Sequence, residues 1–272
     1  METDLKLKDK VIVVTGATGV LGEAFVNGIS SCGATVCALG RNEKVANERV
    51  QAIIANGGNA LALIADVTKE SDLIAARDLV LSKYGKIDGL VNAAGGNMPD
   101  AVIQPDQDIF KLNMDALQQV MNLNLFGTLL PTQIFGEAMK DTVGSGSIVN
   151  ISSVSTVSAM TKVLGYSLAK SAIDCYTKWF AVELAKRYGD KIRMNSIAPG
   201  FFLTEQNRTL LTNTDGSLTE RGNLVIQNTP YGRFGSPDEL IGGLVWLLSD
   251  DSKFATGSKV TLDGGFTIFS GV

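Results

Sequence analysis

The chain has 272 residues, 45% hydrophobic and 19% charged, which suffices for one α/β domain whose core needs no disulfide or metal. Its 24 Lys and Arg against 28 Asp and Glu give a net charge of -4, with no basic block of the kind that nucleic acid or an anionic membrane demands, so its partners should be small molecules. The histidine count is 0, which removes Ser-His-Asp and Cys-His catalysis and His-based zinc sites, and Cys32, Cys37 and Cys175 form no CxxC pair, so no metal site is expected.

The opening KLKDKVIVVTGATGVLG is predicted to be a strand and a turn rather than an export signal. Glu2 and Asp4 precede it, Thr and Gly interrupt it, and no small-residue cleavage site follows. With no apolar run of about 18 residues and cysteines suited to a reducing compartment, the expected location is the cytoplasm. Short, near-continuously apolar runs at 11–15, 35–39, 60–65, 87–91, 147–151, 192–197 and 259–262 read as seven strands separated by segments of helical period. Continuous rather than alternating apolar runs indicate strands buried on both faces, hence a doubly wound, mostly parallel sheet of the Rossmann kind in a single domain over 1–272.

Along that frame, TGATGVLG follows the first strand and opens the first helix, where the backbone at Gly16, Thr18, Gly19, Val20, Leu21 and Gly22 can approach a pyrophosphate. Such glycine turns also occur at unrelated strand-helix joints. The second strand ends on Leu39-Gly40-Arg41-Asn42, with no carboxylate for a ribose 2'-OH and with Arg41 placed to pair with a 2'-phosphate. NADP is therefore favoured over NAD, the bland alternative being an Arg41 that stacks on adenine or faces water.

Two segments break the rhythm, at 95–107 and at 201–229; both read as irregular loops, and long loops in compact domains are usually functional. Tyr166 and Lys170, four apart in YSLAK, share one face of a helix. Alone they would be a surface pair; Ser153 after the strand GSIVNI and Asn124 in an upstream helix give them company. Near the end, Ser236-Pro237-Asp238-Glu239 starts a helix with a Ser cap and Pro in its first turn.

From about Lys8 to Phe266 the chain resembles a short-chain dehydrogenase/reductase. The motifs come in that family's order: the glycine turn, Asp66-Val67, Asn92-Ala93-Ala94-Gly95, Asn124, Ser153, Tyr166, Lys170, then Pro199-Gly200 with Phe202 and Thr204. The resemblance implies NAD(P)-dependent interconversion of a secondary alcohol and a ketone, with Tyr166 as general acid/base and Ser153 holding the substrate oxygen. It implies that Lys170 binds the nicotinamide ribose and lowers the tyrosine pKa, that Asn124 positions a relay water, and that the protein is a homotetramer. Two departures stand out: Gly19 with Val20 gives the glycine spacing of the extended relatives, and Ala94 replaces a usual asparagine.

More narrowly, PGFFLTEQNR and DGGFTIFSGV resemble the family's D-mannonate oxidoreductase, or fructuronate reductase, branch. That branch implies a sugar-acid substrate, for which Asn97, Lys162, Gln206, Asn207 and Arg208 are candidate contacts, Arg208 for the carboxylate. The branch suggests NAD where Arg41 suggests NADP. Competing readings are a gluconate 5-dehydrogenase-like or general carbonyl reductase, and a dinucleotide sensor without turnover. The expectation for 201–229 is a loop with little apolar content that closes over the substrate.

Overall fold

The computed structural model describes residues 5–104 and 106–271. Seven strands form one sheet: β1 (Val11–Thr15), β2 (Thr35–Gly40), β3 (Asn59–Ile64), β4 (Gly89–Asn92), β5 (Gly146–Ile151), β6 (Ile192–Pro199) and β7 (Lys259–Leu262). Their order is β3-β2-β1-β4-β5-β6-β7, and every pairing is parallel. This is the doubly wound, Rossmann-like sheet that the apolar runs predict, wholly rather than mostly parallel.

Parallel neighbours need crossovers, and these supply the two covering layers. Helices α1 (Val20–Ser31) and α2 (Glu43–Ala55) cross on one face, α3 (Glu70–Tyr84) on the other. Residues 114–142 are one nearly continuous rod: α4 (Met114–Met121), a π-helical turn (Asn122–Phe126) and α5 (Gly127–Thr142). The long α6 (Leu164–Tyr188) follows β5, and α7 (Glu205–Leu211), α8 (Glu220–Gln227) and α9 (Ile241–Leu248) lie between β6 and β7. The last begins through a 3-10 turn at Pro237–Leu240, where the predicted Ser236 cap forms a capping box with Glu239.

Strand alternation splits the core in two. Ile12, Val14, Val36 and Ala38 face Phe25, Val26 and Ile29 of α1 and Leu244, Leu247 and Leu248 of α9. Val11, Val13, Cys37 and Leu39 face Leu73 and Val80 of α3, Phe135 and Met139 of α5, and Leu184 of α6. Burial on both faces explains why the sequence shows unbroken apolar runs there.

The expectation of an irregular loop over 201–229 is corrected. Thr204 and Asn207 form a capping box for α7, Thr219 caps α8, and the stretch between them is an antiparallel turn with Thr212 bridged to Leu218. Leu211 and Val225 are buried, so the segment carries its own apolar anchors. The described residues of the other segment, 95–104 and 106–107, are irregular apart from a 3-10 turn at Pro99–Ala101. No described helix is long and apolar enough to cross a membrane.

Candidate active site

Between β1 and β4 the chain's winding reverses, and at the carboxyl ends of these strands lies a cleft of about 630 Å³. The predicted turn forms one wall. Gly16 takes φ 66°, and a Cβ there would lie 2.7 Å from the Ala93 carbonyl, so only glycine lets the two strand-ends approach this closely. The first turn of α1 has no side-chain cap, which leaves its N–H groups and its positive dipole end for an anion. Thr18, Gly19, Val20, Leu21, Gly22, Arg41, Asp66, Val67, Ala93, Ala94, Gly95 and Thr204 also line this cleft. A dinucleotide fits the glycine cradle, the uncapped helix and the cleft's size.

The end of β2 explains the missing carboxylate in steric terms. A Cβ on Gly40 would stand 2.7 and 2.8 Å from Thr18 Cγ2 and Oγ1, so the threonine occupies the space of an acidic side chain. Arg41 is 72% exposed, with an Nη1 4.0 Å from the Asp66 carboxylate. Burial pushes the Asp66 carboxyl upward, but bonds from Thr68 and the nearby Arg41 and Lys69 charges hold it below its ordinary value.

Sequence reasoning missed Arg49. From α2 its guanidinium donates to the carbonyls of Ala17 and Gly19, the latter at 2.8 Å, and to Glu23 at 3.1 Å, pinning the glycine turn while itself lining the cleft. No local motif signals it; the contact spans some 30 residues. Two predicted cofactor contacts belong instead to the scaffold. Asn42 caps α2 by accepting from Val45 N–H, and neither it nor Asn92 lines the cleft. The Asn92 amide donates to Thr132 and to Asn150, each at 2.9 Å, inside the protein.

None of the four predicted catalytic residues lines this cleft, but they lie close together beside it, Asn124 and Lys170 behind its Gly95 wall and Ser153 and Tyr166 in the wall of a second cleft. Ser153 follows β5 and its Oγ accepts from Ser155 N–H at 3.1 Å while hydrogen-bonding the Tyr166 phenol. The fully buried Lys170 donates from Nζ to the Ile151 carbonyl at 2.7 Å and stands 5.5 Å from the Tyr166 ring centre. Burial lowers its ammonium from 10.5 to about 8, against the pull of the Asp174 carboxylate. Burial raises the Tyr166 phenol above its ordinary value, and the Ser153 bond works against that rise. The expected lowering of the tyrosine by Lys170 is thus not a property of the protein alone: desolvation wins. Asn124 sits in the π-helical turn, its amide donating to the carbonyls of Gly96 at 2.7 Å and Val120 at 2.8 Å and accepting from Gly96 N–H at 3.0 Å. Its side chain clamps the Gly95-Gly96 turn beside Lys170 rather than reaching into the cleft.

A second cleft, about 220 Å³, opens over Tyr166 and Ser153 and shares Leu21, Asn97 and Thr204 with the first. Pro199, Gly200 and Phe202, expected at the cofactor, line this cleft rather than the first. Of the candidate substrate contacts, Asn97 is there. Asn207 lines it too, yet its amide is spent on the capping box, accepting from Thr204 N–H and donating to Phe202 O, each at 2.8 Å. Lys162 and the exposed Arg208 line neither cleft; the cation in the wall is Arg221 of α8, which sequence reasoning did not single out. The side chain of Gln206 lies outside the described residues. Cys32, Cys37 and Cys175 are free thiols, Cys37 pushed up to about 12 by burial.

The family model described as enoyl-(acyl carrier protein) reductase matches residues 16–267. An uncharacterized oxidoreductase, UxuB, of Bacillus subtilis (strain 168) is 40% identical over 275 residues, covering 98% of both chains. A Haemophilus influenzae protein provisionally assigned as a D-mannonate oxidoreductase, solved with bound NAD, is 38% identical with TM-score 0.89 over 98% of each chain. A gluconate 5-dehydrogenase from Burkholderia cenocepacia J2315, solved with NADP and tartrate, is 30% identical with TM-score 0.84, over 97% of this chain and 98% of that one.

Proposed function

The chain belongs to the short-chain dehydrogenase/reductase family and is an NAD(P)-dependent oxidoreductase acting on CH–OH groups, and on that premise we propose that it interconverts a sugar acid and the corresponding keto acid. The observation that carries this reading is the second cleft: small for a ligand site, with the hydroxyls of Ser153, Ser155 and Tyr166 and the amide of Asn97 set among apolar residues such as Val154, Met160 and Leu211, and with an arginine and no acidic side chain among its described lining residues. The named substrates of the mannonate- and gluconate-type neighbours support the same class.

A bound nicotinamide supplies the hydride acceptor or donor. In our reading the protein supplies the proton chemistry and the geometry. The Ser153 hydroxyl holds the substrate oxygen beside the Tyr166 phenol, which gives that oxygen a proton on reduction and takes it on oxidation. Lys170 binds the nicotinamide ribose, and Asn124 positions the Gly95-Gly96 turn that borders it. Gly40, Thr18 and Arg41 favour NADP over NAD, because they present a cation and no carboxylate to the adenosine ribose. We further infer a homotetramer working in the cytoplasm.

The test is a panel of sugar acids, neutral polyols and simple ketones with each cofactor, followed by absorbance of the reduced nicotinamide. The highest kcat/KM should fall on a sugar acid, and Tyr166→Phe should lower kcat at least about a hundredfold with cofactor affinity kept. Turnover confined to neutral substrates would overturn the sugar-acid reading. Cofactor binding with no turnover of any substrate would favour a sensor.

A further inference from the structure

Two polar side chains of the substrate cleft have no partner within the protein. Ser155 is 8% exposed, yet its Oγ is fully enclosed and makes no hydrogen bond. The Oδ1 and Nδ2 of Asn97, where the two clefts join, are likewise enclosed and unpaired. A buried hydroxyl or amide left unmade is costly, and the loss is recovered when a ligand supplies the missing partner. Both groups have matched donors and acceptors in a polyhydroxy chain.

The charge in the same cleft is supplied by Arg221, the one charged side chain among its described lining residues. The guanidinium is fixed through its helix. Thr219 Oγ1 accepts from Gly222 N–H at 3.0 Å, its own hydroxyl donates to Leu210 O at 2.7 Å, and Val225 is buried on the inner side of α8. Arg221 itself holds Thr161 through two long bonds, Nη1 to Oγ1 at 3.2 Å and Nη2 to the carbonyl at 3.4 Å. A guanidinium has five N–H donors, so most of the fork is left for an acceptor in the cleft.

We propose that Arg221 binds the carboxylate of a monoanionic polyhydroxy substrate, and that Ser155 and Asn97 bind hydroxyl groups along its chain. This rests on the sugar-acid reading and assigns the contacts that would enforce it. A single cation with no acidic opponent selects one carboxylate; a second would be desolvated in the same cleft without a partner. The planar fork holds both oxygens and thereby sets which carbon lies against Ser153 and Tyr166.

The experiment pairs the sugar acid that the wild type uses best with the neutral polyol or ketose of the same chain length, and measures both on wild type, Arg221→Gln and Arg221→Lys. For Arg221→Gln, kcat/KM on the acid should fall about 10- to 100-fold, mostly through KM, with the neutral partner changed by less than about threefold. Arg221→Lys should recover part of the loss, and calorimetric binding of gluconate to the cofactor complex should weaken in step. Ser155→Ala should raise KM several-fold for polyhydroxy substrates while leaving thermal stability intact or higher, since the hydroxyl it removes is unpaired. If the wild type prefers the acid and Arg221→Gln keeps that preference, the arginine assignment is overturned while the sugar-acid reading stands. A wild type that prefers neutral substrates overturns that reading and the proposal with it. An unchanged KM in Ser155→Ala removes the hydroxyl contact.

Discussion

Burial favours the neutral forms of Lys170 and Tyr166 alike, but the phenol is neutral in the unfolded chain as well, so near neutral pH only the lysine is held at a cost to the fold. For Lys170 the folded value of about 8 lies below the ordinary 10.5. Between these two values the unfolded chain binds more protons than the native one, so stability rises with pH across that window and the full penalty is present below it. Lys170→Met should therefore stabilise the cofactor-free protein at pH 7 by up to about 3 kcal/mol while abolishing activity, the gain fading above about pH 10. Urea unfolding at the two pH values measures this, and an equal ΔΔG at both would refute it. Two arginines of the cofactor cleft should separate in the same spirit. Arg41→Ala should weaken NADP by about 1.5–3 kcal/mol and leave NAD nearly unchanged, whereas Arg49→Ala should weaken both alike by loosening the turn at Ala17 and Gly19. Titration of cofactor fluorescence resolves the two patterns. Of the proposed catalytic residues, Ser153, Tyr166 and Lys170 stand out in the sequence because they fall on the turn after β5 and the first turns of α6, whereas Asn124 was singled out through its place in the family's order of motifs. Arg49 and Arg221 were not, because each acts on residues tens of positions away. Arg208 illustrates the converse: its place beside the Pro199-Gly200 motif is suggestive, yet helix α7 carries its side chain away from the cleft lining.

At the scale of elements, seven strands were predictable to within two residues at each end, since burial on both faces leaves an unbroken apolar signal. The pair α7 and α8 was hidden for the opposite reason. Each is two turns long and is stabilised by Thr and Asn caps, residues that in sequence read as loop. The π-helical turn that places Asn124 was equally invisible, because a single short turn of it sits within an otherwise α-helical stretch and no residue type marks it. The two short helices depend on contact with each other. A Cβ on Gly222 would run into the carbonyl of Leu211, which already accepts from Thr219 N–H at 3.0 Å. Gly222→Ala should thus force α8 away from α7 at a cost of about 1–3 kcal/mol and raise KM through displaced Arg221, with kcat/KM for small neutral ketones much less affected. Amide exchange in 205–227 should rise in that variant; exchange identical to wild type would show that the helices do not lean on one another.

For the molecule as a whole, α6 leaves Leu168, Cys175, Trp179 and Val182 exposed along one stripe, Trp179 at 59%. A stripe of this kind is suited to a second copy of the chain, and Trp179→Glu should split the inferred tetramer into smaller species in light scattering without lowering cofactor affinity of the surviving fold. A variant that keeps wild-type mass would place the interface elsewhere. The strand order has a consequence for how the protein is made. Once β1, β2 and β3 have left the ribosome, each later strand is laid against the one synthesised just before it, apart from β4, which takes the free side of β1. The growing sheet can therefore form in the direction of translation, but the side on which β7 pairs stays an unfilled apolar edge until β7 emerges. Translation that stalls anywhere between β4 and β7 leaves a nascent chain with its glycine turn in place, its cleft incomplete and an open strand edge, the form most in need of a chaperone.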